Sequence, residues 1–242
     1  NGKQENIPAE AEFHKLDISD SSSLDSIPQY PYKIIFHVAA QASNAISWQH
    51  PTRDLMVNQL GTYNILEFCV KRGITRVIFT SSMSAYGLTE ILPTSESIEM
   101  KPDTFYAVHK LASEHYFRIF SKEHGIDYTI FRLYTTFGHG QNLDNVNQGL
   151  LSIYLSYIVN KKPLIVKGSK NRTRDIIHVN DVVEAIILSL SNDISFNKVY
   201  NLGSGQHLTI EEIIELLTTG MGYESGEYPV KYEDSTQGDP FD

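Results

Sequence analysis

A chain of 242 residues with 41% hydrophobic and 20% charged residues can bury a sizeable core, as one large domain or two small ones. A net charge of −9 argues against nucleic acid or an anionic membrane as a partner, and the apolar runs are too short to span a bilayer. Cys69 is the single cysteine, which excludes an internal disulfide and suits a reducing cytoplasm; in an apolar helical stretch it reads as a buried thiol.

Residues 1–11 are polar and irregular, and residues 13–16 read as a short strand ending in the polar break Asp17-Ile18-Ser19-Asp20. Residues 33–38 form a second strand, mostly apolar on both faces, that runs into Ala39, Ala40, Gln41 and Ala42. A helix is expected over 52–72, ended by Gly73, and then an apolar strand over 76–80 that stops at Ser81 and Ser82. A polar loop with Pro93 and Pro102 leads to a helix over 105–124 and a strand over 128–131. Such alternation is the signature of a doubly wound parallel sheet, which binds ligands beyond the carboxyl ends of its strands.

Beyond Phe137 the pattern loosens. A loop over 138–149 precedes a helix over 150–159, short strands at 164–166 and 175–178, and a helix over 181–190. A strand over 199–202 closes at Gly203-Ser204-Gly205, and Thr209 caps a helix with Glu211 and Glu212 in its first turn. The tail from Gly220 reads as loose.

Tyr106 and Lys110 lie four residues apart in the helix over 105–124, so they share a face, about 5–6 Å apart at Cβ. An ammonium beside a phenol favours the phenolate, which can take a proton from a substrate hydroxyl. The same spacing also suits a Tyr on the core side of an amphipathic helix with a solvated Lys. Ser82 falls just past a strand end, and in a doubly wound sheet the strand ends and the following helix converge on one crevice.

These stretches together resemble an extended short-chain dehydrogenase/reductase of the NAD-dependent epimerase/dehydratase type. The resemblance runs through D-I-S-D at Asp17, H-V-A-A at His37, V-N-x-x-G-T at Val57, S-S-M-S-A-Y-G at Ser81 and Y-A-V-H-K at Tyr106. It continues through R-L-Y-T-T-F-G-H-G-Q at Arg132, R-D-I-I-H-V-N-D at Arg174, Y-N-L-G-S-G at Tyr200 and Q-G-D-P at Gln237. It implies a Rossmann-like NAD-binding domain (1–137 and 175–206) and a smaller nucleotide-sugar-binding domain (138–174 and 207–242).

By that resemblance Tyr106 is the catalytic base, Lys110 lowers its pKa and holds the nicotinamide ribose, and Ser82 shares the substrate hydroxyl. Asp17 and Ile18 would meet the adenine, although an Asp before a Ser also makes a solvated turn. Val38, Ala39 and Ala40 would line the cofactor, being small enough for close approach; tight helix–strand packing asks for the same residues. Asn58 takes a structural or cofactor role near the strand ends, and Ser81 and Tyr134 would sit on the nicotinamide side. Arg174 would pair with the diphosphate of a nucleotide-sugar, and Thr135 stands where many relatives carry a substrate-binding Asn. Arg172 reads as solvated, and no metal site is expected.

Departures from the family pattern matter equally. The turn G-x-x-G-x-x-G that cradles a pyrophosphate is absent, as is the acidic residue for the adenosine ribose. The chain is therefore expected to be a fragment that lacks the family's first strand–helix–strand unit and is cut near Gly238. Thr236 stands where many relatives carry a second phosphate-binding Arg.

Ser82 is followed by Met83-Ser84-Ala85, without the Asp-Glu pair that hexose 4,6-dehydratases place there. A reductive epimerase would want a Cys and a His, and Cys69 is on the wrong element. What remains is transient oxidation at a hydroxyl-bearing carbon, with UDP-hexose 4-epimerisation the first reading. The alternatives are another nucleotide-sugar epimerase, a dehydratase or dehydrogenase, or a catalytically silent relative. Relatives pair through the two long helices, so a homodimer is expected, with a helix buried inside one subunit as the competing account of the apolar 52–72 stretch.

Overall fold

The computed structural model describes residues 4–89, 91–144, 149–190 and 192–235. Thr236 and the Q-G-D-P motif lie outside the described residues. In chain order the strands are Ile35–His37 (β1), Arg76–Ser82 (β2), Asp127–Leu133 (β3), Thr135–Phe137 (β4), Leu164–Lys167 (β5), Thr173–Arg174 (β6), Ile176–His178 (β7), Lys198–Leu202 (β8), Leu208–Thr209 (β9) and Val230–Glu233 (β10). The helices are Ser21–Asp25 (α1), Asn44–Gln49 (α2), Pro51–Asp54 (α3), Gly61–Arg72 (α4), Phe105–His124 (α5), Leu150–Val159 (α6), Val179–Leu190 (α7) and Ile210–Gly220 (α8). None of the helices among the described residues is long and apolar enough to cross a membrane.

The main sheet is parallel, in the order β1-β2-β3-β8. Val77, Ile78 and Phe79 of β2 are buried, as expected of a central strand covered on both faces. Phe79 stands opposite His37 in β1 and Ile130 in β3, and its ring stacks on Phe117 of α5 at 4.9 Å between centroids. All four strands run the same way, so their carboxyl ends gather at one edge, where Ser82 ends β2 and Val38, Tyr134 and Gly203 follow the others.

Helix α5 begins where the Thr104 hydroxyl accepts a hydrogen bond from the Ala107 amide, and it ends at Gly125 with φ at +66°. Ser113, Glu114, Phe117 and Phe120 fall on one face and are buried. The helix expected over 52–72 is a rod broken by a π-helical turn, Leu55–Leu60, between α3 and α4. The widened turn coincides with the burial of Asn58, whose amide pairs with the Gln41 backbone in both directions, at 2.9 and 2.8 Å.

A second core gathers α6, α8, β5 and β10, with Leu151, Ile158, Leu164, Ile210 and Ile213 buried in it. The Thr209 cap is a full capping box with Glu212. Two expectations fail. Residues 13–16 form no strand; Phe13 is exposed and the segment has no ladder partner among the described residues. The tail is not loose throughout, because β10 pairs in parallel with β5 and sets Val230 opposite Leu164. Cys69 is buried as expected, and burial pushes its thiol up to about 12.

His37 marks where the sheet meets the polar edge. The Thr62 hydroxyl donates to the Asn58 carbonyl at 2.6 Å, so its oxygen accepts from His37 Nε2 at 2.9 Å, which fixes the neutral ring with its proton on Nε2. Burial, seconded by the Lys110 charge, brings His37 down from 6.5 to about 3. A depressed histidine is fully stabilising above pH 6.5, and its contribution is lost as pH falls from 6.5 towards 3. His37→Gln keeps a donor at the Nε2 position and removes the titration. Its unfolding free energy, followed by urea titration, should fall less than the wild type's between pH 7 and pH 3.5, by about 4 kcal/mol.

Candidate active site

Lys110 is buried, donates from Nζ to the Thr80 carbonyl at 2.6 Å, and lies 4.4 Å over the Phe79 ring. Burial brings its ammonium down to about 8, against the attraction of Glu114 and Asp54. Tyr106, one turn earlier, is also buried, with the Ser82 side chain beside its phenol. Burial pushes its phenol up to about 12, with the Asp54 charge adding to the rise and the Ser82 side chain opposing it. The expected lowering by Lys110 is therefore corrected: the ammonium is engaged by Thr80 and Phe79, and loss of solvent dominates the phenol.

Ser82 ends β2, and its Oγ accepts from the Ser84 amide at 3.2 Å, capping the short 3₁₀ turn Met83–Tyr86. That turn closes at Gly87, where φ is +67° and a Cβ would stand 1.9 Å from the Lys101 carbonyl oxygen. Only glycine fits so close a backbone approach. It returns the polar loop to its own start, and the loop lies across the ends of β3 and β8. Glu96 accepts from the Asn201 amide at 2.8 Å, and Asn201 Nδ2 donates to the Thr94 carbonyl at 2.7 Å. Tyr134 is half-buried beside the Thr94 side chain, and its amide donates to the Leu202 carbonyl at 3.1 Å.

Behind the strand ends is a buried ion pair that sequence reasoning did not find. Arg132 grips Glu114 with both ends of its fork, Nε to Oε1 at 3.0 Å and Nη2 to Oε2 at 2.7 Å. Ser81, expected on the nicotinamide side, turns its hydroxyl onto Glu114 Oε1 at 2.6 Å. Arg132 Nη1 donates to the Tyr86 hydroxyl at 2.7 Å, which donates to Asn201 at 2.6 Å. The available signal was spacing: Tyr106, Lys110 and Glu114 fall at i, i+4 and i+8 on one face.

A second unforeseen cluster ties Asp54 to His109, Gln41 and Asn58. Through it the segment from Val38 to Gln41 is held, and Val38 (60% exposed), Ala39 and Ala40 form an apolar lip at the end of β1. Asp17 commits its Oδ1 to the Ser19 amide and hydroxyl, at 2.9 and 2.7 Å, in a turn of its own. Ile18 packs on Gly61, and its carbonyl accepts from Asn64 at 2.9 Å.

The remaining residues lie towards the second core. The Thr135 amide donates to the Asp175 carbonyl at 3.1 Å, and Arg174, half-buried in β6, pairs with Leu208 in β9. Arg172, expected in solvent, is buried; its guanidinium donates to the Lys167 carbonyl and, at 3.2 Å, to that of Ser169. The short connection from β5 to β6 is folded around it.

A family model for the NAD dependent epimerase/dehydratase family matches residues 1–203. The UDP-glucose 4-epimerase of Thermotoga maritima, solved with UDP-glucose, is 32% identical with a TM-score of 0.92, over 98% of this chain and 76% of that one. The UDP-N-acetylglucosamine 4-epimerase of Methanobrevibacter ruminantium, solved with UDP-N-acetylmuramic acid, is 30% identical with a TM-score of 0.83, over 92% of this chain and 70% of that one. The UDP-glucose 4-epimerase of Mycolicibacterium smegmatis is 28% identical over 87% of this chain and 67% of its own length. With the parallel sheet and the Ser82–Tyr106–Lys110 arrangement at its edge, these matches show that the chain belongs to the NAD dependent epimerase/dehydratase family.

Proposed function

We propose that this protein is an NAD-dependent epimerase of a nucleotide-diphosphate sugar, acting on a UDP-hexose at carbon 4. The observation that carries the reading is buried Tyr106 beside the Ser82 side chain and one turn from buried Lys110, next to a Met83–Tyr86 turn without a carboxylate. The relatives named for UDP-glucose and UDP-N-acetylglucosamine support it. The residues at the sheet edge fit a dinucleotide: Val38, Ala39 and Ala40 are small and exposed, so backbone and ligand can approach closely. Asp17, Ile18 and Tyr134 belong to the same proposed wall, Asn58 and Ser81, buried with their polar atoms engaged, support it from behind, and Thr135 and Arg174 belong to the sugar and diphosphate side. Two separate cores support the division into 1–137 with 175–206 and 138–174 with 207–242, although Phe137 and Ile176 pack on the second core. A reducing cytoplasm suits the free Cys69.

NAD, when bound, supplies the two-electron oxidation of a carbinol and its reversal. Ser82 Oγ shares the sugar hydroxyl and orients it. Tyr106 takes the hydroxyl proton and later returns it, the Ser82 side chain favours the phenolate formed between those steps, and Lys110 would hold the nicotinamide ribose. Because burial holds the phenol up, this stabilisation has a real barrier to lower.

A protein of this kind should convert UDP-glucose or UDP-N-acetylglucosamine in deuterium oxide to the 4-epimer without deuterium on carbon, read by mass spectrometry. A dehydratase would exchange a proton beside its carbonyl and carry the label. Tyr106→Phe keeps the ring and removes the base, so turnover should fall by about a hundredfold or more with the thermal transition unchanged; an active variant would overturn the assignment.

We also propose a homodimer through the π-interrupted rod and α5. Leu55, Met56, Tyr63, Val70 and Ile119 are exposed on these elements, which supports a second copy packed against them. Light scattering at micromolar concentration should give twice the chain mass, and a monomer mass would rule the pairing out.

A further inference from the structure

We propose that Asp54 and His109 form a positioning pair for the reaction, locking the helical turn that carries Tyr106 and Lys110 to the segment lining the cofactor side. The inference rests on the proposed roles of Tyr106 and Lys110. Both partners are buried, Asp54 completely, and His109 Nδ1 meets Asp54 Oδ2 at 2.5 Å. The other carboxylate oxygen accepts from Gln41 Nε2 at 2.7 Å and from Asn58 Nδ2 at 2.8 Å. Gln41 in turn accepts from the Ser43 amide at 2.6 Å, and Ser43 caps α2. Ser113, one turn beyond His109, donates to the Asn58 carbonyl at 2.9 Å.

One carboxylate thus joins four pieces of chain: α3, the π turn, residues 41–43 and α5. His109 lies between Tyr106 and Lys110 in sequence, so a shift of its ring carries the whole turn with it. Nothing in the proton transfer itself uses either group. A buried carboxylate with two amide donors on one oxygen and an imidazole on the other is satisfied in one geometry, which is what positioning needs.

The pair also sets the charge around the phenol. The charged or titratable groups on α5 here and on the elements packed against it are Asp54 from α3, His109, Lys110 and Glu114 from α5, His37 from β1, Arg132 from β3 and Tyr86 from the 3₁₀ turn. Among them the Asp54 charge acts on both members of the site, favouring the protonated form of Tyr106 and of Lys110.

The test uses the enzyme at its natural length, with UDP-glucose as substrate. His109→Ala removes the bond to Asp54 and should lower kcat by about tenfold to a hundredfold, with KM changed by about twofold or less. His109→Asn places an amide nitrogen where Nδ1 stands and should recover most of that loss. Asp54→Asn keeps the acceptor for Gln41 and Asn58 but removes the charge, so the acid limb of the kcat profile should move to lower pH. Equal kcat in the Ala and Asn variants of His109, or an Asp54→Asn acid limb superimposed on the wild type, would overturn the proposal. Should Asp54→Asn fail to fold, the two His109 variants decide alone. An active Tyr106→Phe enzyme would sink the catalytic reading itself. An inactive one beside equal His109 variants would sink only this inference.

Discussion

The arrangement depends first on a guanidinium and a carboxylate buried together. Arg132 and Glu114 are 1% and 0% exposed, and stripping two charges of water costs several kcal/mol per ion, recovered only where the geometry is excellent and every remaining polar atom is engaged. Those conditions are met: the contact is bidentate, Ser81 fills the carboxylate, and Tyr86 fills the guanidinium. The pair pins α5 to β3 at one register. Lys110 is one turn nearer the strand ends and Tyr106 two, so pinning Glu114 fixes both. From Tyr86 the chain of bonds runs on to Asn201 and the loop over β3 and β8.

Around that anchor the groups at the sheet edge are held away from their solution chemistry. Burial brings His37 down to about 3 and Lys110 to about 8, and pushes Tyr106 up to about 12. All three shifts favour the neutral form, as loss of water demands. The Tyr106 phenol is thus held protonated, with the Ser82 side chain alone among its named neighbours favouring the anion.

Much of the fold was legible because its signals are local. The expected helices over 105–124 and 150–159 match α5 and α6, and the Thr209 cap started α8. The run from Val77 to Phe79 marked an apolar strand without help from its neighbours, whereas 33–38, read as a strand apolar on both faces, stands at the edge of the described sheet with Phe36 exposed. What escaped was set by distance along the chain. Asp54 and His109 are 55 residues apart, and the buried state of Arg172 depends on carbonyls that a short loop happens to turn inward. The strand expected at 13–16 had suitable residues but no ladder partner, whereas β10 had a modest pattern and β5 waiting beside it. Tyr106 and Lys110 were legible as a pair by spacing, but the sign of the effect on the phenol was not, because desolvation is a property of the packed site.

The π-helical turn at Leu55–Leu60 holds one residue too many for the rod that contains it. Such turns arise most simply by insertion of a single codon into an ordinary helix, and they concentrate at functional sites. Losing one residue there would restore regular hydrogen bonding, but it would swing Asp54 by about 100° around the axis relative to α4. It would leave His109 and Gln41 behind. The rod thus trades one turn of regular helix for the wiring of Asp54, and its length, not only its side chains, is a condition of the cluster that holds residues 38–41.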